Sequence, residues 1–152
     1  MNALPYRFLE PTFAVLRVVA GLLFAFHGAQ KIFGAFGGTA RPLASLMGVA
    51  GTIELAAGLL IMVGLFAGAA AFVASGQMAF AYFLSHAPRG GWPIQNDGEL
   101  AVLFCFLFLF MSARGAGIWS LDAALSRRRV SVRAFSSGQV GRALDTLGRV
   151  ES

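Results

Sequence analysis

The chain has 152 residues, 57% of them hydrophobic, with 12 Lys and Arg against 7 Asp and Glu for a formal charge of +5. Charged residues make up 12%, about half the fraction usual in soluble domains, which excludes a disordered chain and argues against a soluble globule. The single cysteine, Cys105, excludes a disulfide scaffold and a zinc site built from paired cysteines, and what remains is a protein of the bilayer.

Four apolar stretches follow one another. The first runs over about 11–32 and holds Arg17 and Lys31 as its only charges. The second, 43–63, holds Glu54, and the third, 65–84, holds no charge. The fourth, 97–113, is short but strongly apolar through Phe104, Phe106, Phe108 and Phe110, with Glu99 in its first turn. Crossing a hydrocarbon core of about 30 Å takes about 20 helical residues. Backbone groups in lipid must pair within their own segment, and none of these stretches alternates as a barrel strand does, so all four are expected to be helices. Gly34, Gly37, Gly38 and Pro42 break the first connection, Gly64 and Gly68 bracket a tight second one, and Pro88, Gly90, Gly91 and Pro93 mark the third. Asn96, three residues before Glu99, predicts a capping box at the start of the fourth helix.

The expected architecture is therefore all-α: an integral membrane four-helix bundle over residues 1–126, followed by a basic tail, 127–152. Four spans put both termini on one side. That side carries Arg7, Arg114, Arg127, Arg128, Arg129, Arg133, Arg142 and Arg149, so the positive-inside rule places both termini in the cytoplasm. The first span is too long for a cleavable signal peptide and lacks a small-residue cleavage site. Ser120 is positioned to cap a short interfacial helix carrying Leu121 and Leu125, and Arg127, Arg128 and Arg129 then fall where anionic headgroups lie. Val140, Leu144, Leu147 and Val150 recur at helical spacing, which predicts a weak amphipathic helix. The tail lacks interleaved aromatics, so nucleic acid is not an expected partner; the lipid bilayer is.

Charges inside a bilayer cost a few kcal/mol each on insertion scales and need a reason. Arg17 is near enough to the cytoplasmic end to snorkel, whereas Glu54 is too deep and must be protonated, paired or facing a polar cavity. Ala14, Gly21 and Gly28 beside Arg17, and Ala50, Gly51, Ala57 and Gly58 around Glu54, let helices approach closely, so both charges are expected to face the bundle interior as a deeper layer. A second, outer layer gathers His27, Gln30 and Lys31 at the end of the first helix, His86 at the end of the third, and Asp97 and Glu99 at the start of the fourth. Gln77 and Tyr82 lie lower on the third helix. His27, His86 and Glu99 have no tight ligand spacing, so no metal site is assigned. Cys105, mid-helix among phenylalanines, reads as an inert core thiol.

The chain resembles the DoxX family of small membrane proteins. The matching residues are Leu16 and Arg17 followed by Gly21, His27 and Gly28, the run Gln30 to Gly34, Glu54 and Leu55, Gly58 through Gly64, His86, the run Gly98 to Ala101, and Gly115-x-Gly117-x-x-Ser120-Leu121-Asp122. The likeness covers about residues 9–126 and implies a four-helix protein of the bacterial inner membrane. It also implies redox company, since some relatives are membrane subunits of a thiosulfate:quinone oxidoreductase and others are linked to a complex that handles thiol stress. Arg17, His27, Lys31, Glu54, His86 and Glu99 match the family pattern and are the candidate ligand-binding or proton-relay residues. The chain offers no accessible thiol, so an electron carrier must be borrowed; the expected one is a quinone from the bilayer, with no covalently bound cofactor. The expected partners are a soluble oxidoreductase or sulfurtransferase and a further copy of the chain. Competing readings are a small-molecule or proton-coupled transport module and a membrane scaffold without catalysis.

Overall fold

The computed structural model describes residues 6–127; the expectations for Arg128, Arg129 and the helix carrying Val140 to Val150 lie outside the described residues. The described chain is all-α, without a strand: α1 (Leu9–Phe33), α2 (Leu46–Val63), α3 (Ala67–Ala81) and α4 (Glu99–Arg114), then a short α5 over 121–127. A π-helical turn (Tyr82–His86) and a 3-10 turn (Ala87–Arg89) continue α3.

Local chemistry explains the boundaries. Gly34 takes a left-handed φ of 67° and returns its N–H to Gln30 O, closing α1. Ser45 starts α2, its Oγ accepting from Gly48 N–H at 3.1 Å. Gly64, at φ 73°, ends α2, and Phe66 at φ 48° leads directly into α3. Left-handed backbone is costly for a phenylalanine. Asp122 holds it from far along the chain, with Oδ1 accepting from Phe66 N–H (3.0 Å) and Oδ2 from Ala67 N–H (3.3 Å). Asp122 thereby supplies the cap that α3 lacks locally. Ser120 caps α5 through Ala123 N–H at 3.2 Å, as its position predicted.

The capping box expected at α4 does not form. Gly98 is the N-cap and has no side-chain cap. Asn96 is 1% exposed and bonds inward instead, accepting from Gly98 N–H at 2.9 Å and donating to Gly90 O at 2.8 Å. It ties down the glycine-rich loop, and Glu99 is left as an exposed acid in the first turn of α4, where the helix dipole favours it.

Successive helices run antiparallel. Gly21 lies against Gly58 and Met62, Gln77 bonds to Ala50, and Ser75 Oγ donates to Cys105 O at 2.8 Å. The backbones of α1 and α2 are in near contact: a Cβ on Gly21 would fall 2.6 Å from Gly58 O, so only glycine permits this approach. By contrast α1 and α4 stand farther apart and meet through rings, Phe24 against Phe104 and Phe108 and Phe13 against Phe110. All four helices contribute to one apolar core, including Phe24, Ile61, Ala71, Ala74, Phe108 and Met111. Large apolar side chains such as Val15, Phe72, Phe80, Leu103 and Phe106 are exposed on the outside, an arrangement suited to lipid rather than water. Three helical stretches, Leu9–Phe33, Leu46–Val63 and Ala67–Arg89, are long and apolar enough to cross a membrane. With 16 residues α4 spans about 24 Å, short of the hydrocarbon thickness.

Candidate functional site

The alternating helices bring the far end of α1, the near end of α2, the end of α3 and the start of α4 to one level. Lys31 is one turn beyond His27 on α1, and Lys31 Nζ forms an ion pair with Glu54 Oε1 of α2. Glu54 is 2% exposed, and Lys31 remains partly open. Gln77 of α3 completes the cluster, its Nε2 donating to Glu54 Oε1 at 3.0 Å and to Ala50 O at 3.2 Å. Glu54 Oε1 thus takes two donors, while Glu54 Oε2 and Gln77 Oε1, both buried, have no partner. A buried carboxylate needs this much compensation, and its second oxygen is normally bonded too.

Two cavities share the ion pair as a wall. The larger, about 250 Å³, lies toward α1 and α4 and is lined by His27, Lys31, Glu54, His86 and Asp97 with Phe24, Leu100 and Phe104. The smaller, about 160 Å³, lies between α2 and α3 and is lined by Lys31, Glu54, Gln77, Ser85 and His86 with Met47 and Phe80. The π turn, a geometry common at functional sites, carries His86 to both cavities. Its Nδ1 lies 3.0 Å from Asn96 O and 2.8 Å from Arg89 Nη2. These neighbours suit opposite tautomers: the carbonyl needs Nδ1–H, and the guanidinium needs a bare Nδ1. Asp97 holds a left-handed φ of 56° at the mouth, with Arg89 3.8 Å away in an exposed, weak pair.

Four of the six candidate residues, His27, Lys31, Glu54 and His86, therefore line one cavity, and two do not. Arg17 is at the opposite end of α1, about 21 Å from Lys31 along the axis. It neither snorkels nor shares a layer with Glu54. It is 3% exposed, and its guanidinium donates to Ile61 O (2.7 Å), Met62 O (2.9 Å) and Trp119 O (2.7 Å). Those carbonyls belong to the last turn of α2 and to the chain entering α5, where a cation complements the helix dipole. Glu99 points to a separate outer groove with Pro93 and Leu103. Arg127 is exposed at the Arg17 end, beside Trp119 and Ile118.

Three residues outside that set matter to the geometry. Counting outward from the Gly64 turn brings Ser75 as near to the level of Glu54 as Gln77, and it is the packing of α3 that turns Ser75 to Cys105 O and Gln77 to Glu54. Asn96 and Asp122 act through backbone partners fixed only by the tertiary fold. Cys105 is free and half-buried, its sulfur 3.7 Å from Ser75 Oγ. Among the described residues no three His, Cys, Asp or Glu side chains gather as a metal site would require.

The DoxX family matches residues 12–87, half of the chain. An uncharacterized protein of Haemophilus influenzae (strain ATCC 51907 / DSM 11121 / KW20 / Rd) is 40% identical over 116 residues, covering 72% of this chain and 87% of that protein. No solved structure matches. With three helices long and apolar enough to cross a bilayer, the chain is a multi-pass membrane protein and belongs to the DoxX family.

Proposed function

We propose that this protein is the membrane subunit of a respiratory or thiol-linked oxidoreductase system and that it binds a quinone in the larger cavity, near the outer membrane face. In this reading it is a four-helix bundle of the bacterial inner membrane with both termini cytoplasmic. The basic residues near the Arg17 end, Arg7, Arg114 and Arg127, support that orientation. The observation that carries the reading is the cavity itself, an apolar pocket of ring-sized volume whose polar end holds a buried ion pair and two imidazoles.

The residues fit such a headgroup. Phe24, Leu100 and Phe104 supply flat apolar walls, and Lys31 Nζ and the imidazoles of His27 and His86 are donors for ring carbonyls. A quinone supplies two-electron acceptor chemistry when bound. The chain's part is to orient the ring and to hold protons near it. His86 suits that part because either tautomer finds a partner at Nδ1, which leaves Nε2 free to donate or to accept. Below the ion pair the core is apolar, with Phe24, Ala71, Ala74 and Phe108 closing the interior, which favours binding over a transport path through one chain. A soluble oxidoreductase or sulfurtransferase is the partner that would deliver electrons.

The test is extraction. Protein purified with native lipid should carry quinone, and Lys31→Ala and His27→Ala should lose most of it while remaining folded. Quinone absent from the wild type, or retained equally by both variants, contradicts the reading.

A further inference from the structure

The smaller cavity carries a recognition chemistry of its own. Glu54 Oε2 and Gln77 Oε1, both buried and unpartnered, belong to residues that line it. The orientation of the Gln77 amide is fixed, because both neighbours of its Nε2, Ala50 O and Glu54 Oε1, can only accept. Lys31 Nζ is engaged by Glu54 Oε1. Both unpartnered atoms therefore accept hydrogen bonds, and neither donates one. Buried acceptors left without a donor are costly, so whatever fills this cavity must bring one. The remaining walls are mostly apolar, with Leu46, Met47, Phe80 and Leu84, and Ser85 and His86 add polar groups to the lining. An apolar cavity of about 150 Å³ takes one benzene-sized ring, and this one measures about 160 Å³.

We propose that the cavity between α2 and α3 is a second binding site, for a single ring bearing a hydroxyl that donates to Glu54 Oε2 or Gln77 Oε1. A ring with carbonyls alone, even one that accepts from Ser85 or His86, would leave both buried acceptors without a donor and is disfavoured there. The site shares only the ion-pair wall, Ala81 and His86 with the quinone cavity and does not depend on that cavity being filled. A free phenol and the hydroquinone head of a lipid-borne carrier have the same recognition chemistry.

Methionine methyl groups separate the two cavities: Met47 lines the smaller one, and Met78 lines the larger. The protein, carrying ¹³C-methyl methionine in nanodiscs, is titrated with phenol, with anisole as its donor-free match, and with a short-tailed hydroquinone. Phenol, the hydroquinone or both should shift the Met47 methyl saturably, and whichever does so identifies the source. Anisole should bind there at least about tenfold more weakly than the hydroxylated ring. Gln77→Leu should shrink that ratio to below about threefold where Gln77 Oε1 is the acceptor, and a preserved ratio assigns the hydroxyl to Glu54 Oε2, with the core Met111 methyl unmoved as a check on folding. Anisole matching the hydroxylated ring in the wild type, or no saturable Met47 shift from either hydroxylated ring, overturns the proposal. A quinone titration followed at Met78 tests the larger cavity separately.

Discussion

The two ends of the helical core solve the same problem, a charge in an apolar protein, in opposite ways. At one end Arg17 makes three hydrogen bonds to main-chain carbonyls and joins α1, α2 and the segment before α5. Asp122 works beside it, closing the start of α3. At the other end Glu54 holds Lys31 and Gln77 on a single oxygen, and acceptors are left over in the walls of two cavities. Arg17 spends its terminal nitrogens on the chain's own carbonyls, with Nε alone left unbonded, and acts as a structural staple, whereas the unsatisfied acceptors of Glu54 and Gln77 belong to residues that line cavities and are available to a ligand. On the proposed reading, the difference puts stability at the Arg17 end and binding at the Lys31 end.

Breaking the staple should produce the largest effect. Arg17→Leu removes three charge-assisted bonds, each worth about 1.5–3 kcal/mol when fully made, and leaves buried carbonyls unpaired. We expect a loss of about 3 kcal/mol or more, read as a large fall in folded yield and melting temperature in detergent. Arg17→Lys should recover less than half of it, because an ammonium cannot reproduce the planar fork that spans Ile61, Met62 and Trp119. A melting temperature within a few degrees of wild type for Arg17→Leu would remove the staple.

Glu54→Gln should cost less in stability and more in function. Lys31 loses its counter-charge but keeps some access to the polar edge, so a loss of about 1–2 kcal/mol is expected. Quinone retention should drop at the same time, and co-purified quinone measured beside the melting curve separates the two effects. Asp122→Ala deletes a cap and should cost about 1 kcal/mol without altering ligand content. The smallest effect belongs to Glu99→Gln, expected within about 0.5 kcal/mol of wild type with quinone content unchanged, since Glu99 faces away from both cavities.

Much of this contrast is readable in the sequence. Long apolar runs with glycine and proline breaks dictate the helices, and the rarity of charge singles out Arg17, Lys31 and Glu54. Their partners are harder to read. Depth counted along each helix sets Arg17 and Glu54 together, but level depends on helix direction, and α2 runs back from the Lys31 end. Glu54 therefore meets Lys31, while Arg17 meets the last turn of α2. Asn96 illustrates another limit: Asn96 and Glu99 have the spacing of a capping box, but the Gly90 carbonyl across the loop captures the amide. The segment Gly115 to Asp122 has no apolar periodicity. Its purpose emerges only when left-handed Gly115 and Gly117 turn the chain so that Trp119 O meets Arg17 and Asp122 caps α3.

The most direct test of the contrast is the double variant Lys31→Met/Glu54→Gln, which removes both charges of the pair and leaves no uncompensated ion. Melting temperature and equilibrium binding of a short-chain quinone are measured together in nanodiscs. A site built for binding predicts stability close to wild type with quinone affinity at least about tenfold weaker. Wild-type affinity in a protein that melts far lower would make Lys31 and Glu54 the staple and contradict the account.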